Sequence, residues 1–391
     1  MSRTAPILIL TAAAGDGHRS AARSLEKACA ALGVPSVLVD ALDLAPRWFR
    51  LWFQGGYEGL VRHAPSLWGS LYRRSDRPGL FYAIQTGLDL LCLGRMERLI
   101  RQIDPDWALC VHSVAQPRLA RIRRRLRRPG MAVVITDLHP HRMWLRGEPD
   151  RFFVPAARTL ELLDKRLPGS GERTQVTGIP IDPECGALPP RAAVRRQLGL
   201  AESGRRILVM AGGIGAGPLP DVLRALADLP DPTDLDVVCG RNPHALRACR
   251  TAMDRARSAS PRITVHGYVP HERFLRHLAA ADLIVGKPGG ITLSEALALG
   301  VPLVVYRPLS IPGQEDDNGA YLDEIGAGAA AGNRQELRDL IQAILGDETR
   351  LMTMAAAARA AGRPDAAAAI ITAICGADRQ GMGRRGPSGS R

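Results

Sequence analysis

The chain has 391 residues, room for two to three domains, and is 46% hydrophobic and 23% charged. That composition excludes an intrinsically disordered chain, and no run nears the ~18 uninterrupted apolar residues of a membrane-crossing helix. Basic side chains outnumber acidic ones by 13, and residues 1–180 carry most of the excess, which implies an anionic partner such as nucleic acid or a membrane surface. The seven cysteines form no CxxC pair, which excludes a zinc ribbon and fits a reducing cytoplasm.

In chain order, the N-terminus passes straight into an apolar strand over 7–11, so no signal peptide is expected. A helix follows over 20–32 and a second strand over 36–39. Further strands are predicted at 108–111, 132–136 and 151–154. After a Pro-rich joint at 179–190 the alternation restarts, with strands at 207–210, 235–238, 263–265, 283–285 and 303–305 and a helix over 219–227. Residues 334–375 read as helical and alanine-rich. Strands spaced by helices, twice over, predict an α/β protein of two doubly wound lobes with a cleft between them. The expected division is 1–180, then 181–376, whose last helix has the option of returning to the first lobe, then a disordered tail over 377–391.

Each lobe has a glycine-rich loop after its first strand. The first, Gly15-Asp16-Gly17-His18, holds two glycines of a dinucleotide fingerprint, with Asp40 ending the next strand. The third glycine is missing, since position 20 is Ser20. His18 stands where a helix begins and is either a general base or a helix-start histidine without chemistry. The second loop, Gly212-Gly213-Ile214-Gly215-Ala216-Gly217, either cradles a phosphate or makes a tight turn.

The stretch Gly286-Lys287-Pro288-Gly289-Gly290-Ile291-Thr292-Leu293-Ser294-Glu295 runs from a strand through glycines into a helix whose N-terminus could face an anion. Thr292 and Glu295 have capping-box spacing, so Glu295 is either structural or an acceptor for ribose hydroxyls. Downstream, Gln314-Glu315-Asp316-Asp317-Asn318 suits sugar hydroxyls better than phosphate, or is a solvated loop. Asp137-Leu138-His139-Pro140-His141, with Trp144, follows a strand. A proline between the histidines makes a poor metal pair, so an acceptor loop at the cleft edge is expected and no metal.

Residues 46–82 hold nine of the 17 aromatics, among them Trp48, Trp52, Trp68 and Phe81, interleaved with Arg47, Arg50, Arg62, Arg73, Arg74 and Arg77. Rings and arginines together are what an interfacial segment uses to enter lipid headgroups. A core patch would account for some of the rings and none of the arginines.

With both loops, KPGGITLSEALALGVPLVV, IPGQEDDN, GDGHRSAA and TDLHPHRMW in hand, the chain resembles the diacylglycerol glycosyltransferases, the monogalactosyldiacylglycerol synthase group of glycosyltransferase family 28, over about residues 5–335. The resemblance implies a GT-B fold of two Rossmann-like lobes. It also implies a UDP-sugar donor on the second lobe, a diacylglycerol acceptor on the first, and an anionic membrane surface as partner. His18 would be the base. Gly213, Gly215, Gly217, Gly290 and Thr292 would lie near the donor diphosphate. Val269 would meet uracil, Glu295 the ribose, and Gln314, Glu315 and Asn318 the sugar. Trp48, Trp52, Trp68, Asp137, His141 and Trp144 would face acceptor or lipid.

The implied activity is inverting transfer of a hexose to diacylglycerol by a peripheral protein at the cytoplasmic face of the membrane. No cofactor and no essential metal are expected. Asp16, in a loop where relatives often have three glycines before the histidine, and apolar Ile214 depart from the pattern. Three other readings stand beside this one. An NAD-dependent enzyme would leave the second loop unexplained. A nucleic-acid binder lacks any matching motif, so no nucleic acid partner is expected. A UDP-sugar epimerase, or a transferase with a non-lipid acceptor, shares the implied fold.

Overall fold

The structure, a computed structural model, describes residues 5–13, 16–227, 229, 233–255 and 262–381. Gly15, the side chain of Phe81 and the tail residues 382–391 lie outside the described residues.

The first sheet contains β1 (Ile7–Thr11), β2 (Ser36–Asp40), β3 (Trp107–Cys110), β4 (Gly130–Val134), β5 (Arg151–Val154) and β6 (Thr174–Val176). The second contains β7 (Arg205–Met210), β8 (Thr233–Val238), β9 (Arg262–His266), β10 (Leu283–Gly286), β11 (Leu303–Tyr306) and β12 (Gly328–Ala331). The strand orders are β2-β1-β3-β4-β5-β6 and β12-β11-β10-β7-β8-β9, and all pairings are parallel. Central strands are buried on both faces, so they read as unbroken apolar runs such as ILILT and LVVY. This is the GT-B arrangement of two Rossmann-like lobes.

Strand order reverses between β1 and β3 in one lobe and between β7 and β10 in the other. Ligands of doubly wound sheets bind at such reversals, beyond the carboxyl ends of the strands. The segments that follow those four strands carry His18, in the first turn of a helix, and His112, Gly213 and Lys287, in loops.

Two edge strands were not expected from sequence. β6 has three residues, and β12 is GAAA, a poor strand sequence. β12 forms because its backbone pairs in register with Leu303–Tyr306. The first helix, Asp16–Ala31, begins earlier than the apolar periodicity implied, directly at the glycine loop.

The last helix, Ala366–Gly381, returns to the first lobe: Ala367, Ile370, Ile371 and Ile374 share a core with Ile7, Ile9, Ala21 and Leu25. Helix therefore continues through 377–381, where a disordered tail was expected.

The aromatic segment folds as three helices, Arg47–His63, Pro65–Ser75 and Leu80–Cys92. Phe49 is buried in the first-lobe core. Trp48, Leu51 and Trp52 on the first helix, Leu67 on the second, and Leu80, Ile84 and Leu91 on the third are all more than half exposed. Arg146 anchors the third helix from below. It is ion-paired with fully buried Asp89 at 2.8 Å and donates to the Ser113 carbonyl at 2.7 Å. Among the described residues, no helix is long and apolar enough to cross a membrane.

Candidate active site

A cavity of about 610 Å³ lies between the lobes, lined from one side by His18, Thr136 and Asp137 and from the other by the second glycine loop, the start of the Gly290–Leu299 helix and Gln314. Glycine makes this approach possible. A Cβ on Gly213 would overlap the Asp16 carboxylate, and one on Gly290 would overlap the Thr136 carbonyl. Gly217, at φ +100, also lines the cavity and takes a backbone conformation that side chains disfavour.

His18 Nδ1 lies 3.1 Å from the Val111 carbonyl and 3.1 Å from Thr136 Oγ1. A carbonyl only accepts, so Nδ1 carries the proton and Nε2 is the free base. Burial lowers the His18 pKa to about 4, against the small opposing effect of the carbonyl. His112 stands edge-on to it, with ring centroids 4.6 Å apart. Its Nδ1 accepts from the Val114 amide at 3.1 Å, and burial holds its pKa well below the ordinary histidine value. His18 on the cavity wall and its ring neighbour His112 are thus both neutral at neutral pH.

Opposite, Gly289 caps the Gly290–Leu299 helix without a side-chain hydrogen bond. Gly289, Gly290, Ile291 and Thr292 all line the cavity, so the first turn offers unsatisfied N–H groups and the positive end of the helix dipole. Thr292 is the third residue of this helix, not its cap, so the capping box does not form. Glu295 is instead a buried cavity-lining carboxyl. Burial, reinforced by Asp182, raises its pKa well above the usual carboxylate range. Its Oε1 is 3.1 Å from His271 Nε2, but the angle makes no hydrogen bond. Glu295 can therefore donate and accept toward a ligand hydroxyl.

Matches to known proteins agree with this layout. Residues 18–181 match the family described as monogalactosyldiacylglycerol (MGDG) synthase, and residues 192–361 match glycosyl transferases group 1. Processive diacylglycerol beta-glucosyltransferases of Bacillus pumilus and Bacillus subtilis are each 28% identical, over 90% of this chain and 90% of theirs. Over most of its length the chain is thus similar to diacylglycerol glycosyltransferases. Solved structures share its fold. Acinetobacter baumannii MurG covers 94% of the chain and 99% of its own at TM-score 0.60 and 18% identity. A Listeria monocytogenes protein described as a putative UDP-N-acetylglucosamine 2-epimerase covers 97% and 98% at TM-score 0.62 and 17% identity.

Of the residues singled out from sequence, the structure brings His18, Asp137, Gly213, Gly217, Val269, Gly290, Thr292, Glu295, Gln314, Glu315 and Asn318 to this cavity. Several are committed elsewhere. Glu315 Oε1 accepts from Lys287 Nζ at 2.5 Å and Oε2 from the Ile311 amide at 2.8 Å, which fixes the carboxylate and leaves each oxygen one further lone pair. Asn318 accepts from the Leu138 amide at 3.2 Å and donates to the Pro288 carbonyl at 2.9 Å, which joins the lobes. Gln314 Oε1 accepts from Trp68 Nε1 at 3.2 Å, so Trp68 reaches across the cleft instead of facing lipid.

Gly215 stands behind the loop, where a Cβ would overlap the Cys239 carbonyl. His141 is buried, with Nδ1 accepting from the Met143 amide at 3.2 Å and Nε2 3.0 Å from the Tyr72 carbonyl, so it shapes its loop and does not face an acceptor. Trp144 is likewise a core residue, and its indole donates to Asp137 at 3.3 Å. Burial pushes the Asp137 pKa up to about 6. Trp48 and Trp52 lie on the outer surface, away from the cavity.

The sequence reading missed His112, which the strand-end rule could have found, because it follows β3 as His18 follows β1. It also missed an ion pair across the cleft between Arg241 and Asp16, in which the Arg241 guanidinium stacks 4.2 Å from the Tyr268 ring centre.

Proposed function

We propose that this chain is an inverting glycosyltransferase that moves a hexose from a UDP-sugar to the hydroxyl of diacylglycerol at the cytoplasmic face of the membrane. The observation that carries the proposal is the facing of His18, with Nε2 unprotonated, and an open helix N-terminus across one cavity. His18 Nε2 takes the acceptor's hydroxyl proton as that oxygen bonds to the anomeric carbon. The bond from that carbon to UDP breaks on the opposite face, inverting the centre. The charge gathering on the diphosphate is met by N–H groups of the Gly213–Gly217 loop and of Gly290–Thr292, with Lys287 nearby. These groups are the chain's own, and the proposal assigns the reaction no resident cofactor.

The acceptor would arrive from the bilayer. Trp48, Leu51 and Trp52 repeat at helical spacing on an outward face, and the same helical segment exposes Arg47, Arg74 and Arg77. Such a surface enters headgroups and favours anionic lipid. The Bacillus relatives' names make glucose the first sugar to test.

The deciding assay incubates radiolabelled UDP-glucose, UDP-galactose and UDP-N-acetylglucosamine with diacylglycerol vesicles and separates products by thin-layer chromatography. Labelled glycolipid with release of UDP is expected from one donor. Conversion of a UDP-sugar to its epimer with no lipid labelling would refute transfer and establish the epimerase reading. His18→Ala should lower turnover about 100-fold or more, as expected for loss of a general base, while UDP affinity stays within about twofold.

A further inference from the structure

Outside the cavity, the second lobe gathers three metal-ligating side chains under one helix. Asp236 on β8 points to the same sheet face as Val238, which packs beneath Leu275 and Leu278 of the His271–Ala280 helix. His266 ends β9 opposite Val238 in register, and His277 descends from the helix onto the same face. One ligand atom from each of the three residues lies within 4.8 Å of the other two. His266 Nε2 is 3.5 Å from Asp236 Oδ1, and His277 Nδ1 is 3.7 Å from Asp236 Oδ2.

Neither contact meets hydrogen-bond geometry, so His266 Nε2 and both ring nitrogens of His277 are buried without a hydrogen bond, although the Asp236 carboxylate is within ion-pair range of one nitrogen of each ring. His277 is only 5% exposed. An imidazole with neither nitrogen satisfied in an interior carries a desolvation cost that an apolar side chain of that size would avoid.

We propose that Asp236, His266 and His277 form a binding site for a divalent first-row transition-metal ion of zinc-like ligand preference. Metal–ligand bonds of ~2.0–2.2 Å place ligands of a tetrahedral ion about 3.3 Å apart; the three ligand atoms here lie within 4.8 Å of one another, so an entering ion must draw the carboxylate and the two imidazoles inward. Arg206 donates to Asp236 Oδ2 at 2.8 Å and fixes the carboxylate from behind, as partners of metal ligands do. Its charge is shared with Asp234 at 2.5 Å, so it does not cancel Asp236 alone. Two imidazoles and one carboxylate select against magnesium and calcium. His266 is partly exposed and gives the ion a way in. The ion would tie the end of β9 to the helix and so brace the intervening segment, whose Tyr268 and Val269 line the cavity.

The test uses the full chain without a polyhistidine tag, stripped with EDTA, reloaded with Zn²⁺ or Co²⁺, and desalted. About one ion per chain should remain, with visible Co²⁺ d–d absorption, and zinc should raise Tm by ~5 °C. His277→Leu and Asp236→Asn should each weaken retention at least tenfold and abolish the zinc-dependent Tm shift. If the wild type shows no Co²⁺ band and retains under a tenth of an ion, the site does not exist. If both folded variants keep the wild-type stoichiometry, the ion sits elsewhere. A purely structural cluster would instead make His277→Leu as stable as the wild type or more so, equally in zinc and in EDTA.

Discussion

At His18 the surroundings of one half-buried ring set both its tautomer and its protonation state. The Val111 carbonyl fixes the tautomer, and burial, which lowers the pKa to about 4, keeps Nε2 unprotonated far below neutral pH. A base so weak is poorly matched to an alcohol, but a diphosphate entering the same cavity brings negative charge, which favours the imidazolium and raises the pKa. His18 should therefore titrate near 4 in the free protein, and its pKa should rise by at least one unit when UDP is saturating. Histidine ring signals followed by NMR across pH 3.5–8, with His18→Ala for assignment, would check this; an unchanged titration with UDP bound would remove the electrostatic link between donor and base. The sequence made His18 visible because it stands directly after a glycine loop. The anchoring of Asn318 and His141 was not legible, for a physical reason. A polar residue on a loop reads as free until its partners are known, and the partner of Asn318 is the amide of Leu138, 180 positions away.

At the scale of elements, the central strands were legible because burial on both faces imposes continuous apolar runs, and two edge strands were not: β6 is only three residues long, and β12 is formed by its neighbour's backbone in spite of its composition. The segment 46–82 was legible as a mixture of rings and arginines, but its division into three helices was not. That division matters. It sends Phe49 inward and leaves Trp48, Leu51 and Trp52 as an outward stripe. If this stripe enters headgroups, burying each indole contributes about 1.5–3 kcal/mol, so Trp48→Ser with Trp52→Ser should reduce binding to anionic vesicles by roughly 100-fold or more. Since neither ring lines the cavity, UDP affinity should be unchanged. Co-sedimentation with anionic and neutral vesicles, paired with calorimetric UDP titration, reads both quantities. Equal sedimentation of variant and wild type would mean that the stripe is not the membrane contact.

The whole molecule is two lobes joined by the last helix, whose return to the first lobe the sequence offered as an option, and by cleft contacts that it did not offer. The isoleucines of that helix sit in the first lobe's core, and Asn318 and Trp68 reach across the cleft. The Asp16–Arg241 ion pair differs from these because both residues line the cavity. Asp16 and Arg241 are 38% and 47% exposed, so their attraction is screened and adds at most about 1 kcal/mol to stability. Its effect on a ligand is larger in consequence. The Asp16 carboxylate lies against Gly213, on the loop proposed to hold the diphosphate, and it occupies a guanidinium that could otherwise face that anion. Asp16→Asn removes one negative charge and releases Arg241 while keeping the side chain's shape. UDP affinity should rise by about three- to tenfold at low salt, and the gain should shrink as ionic strength shortens the screening length. Arg241→Gln should move affinity the other way. Calorimetry at low and high salt separates this from a packing effect, which salt would leave in place; weaker binding by Asp16→Asn would mean that the pair serves to hold the lobes closed around the donor.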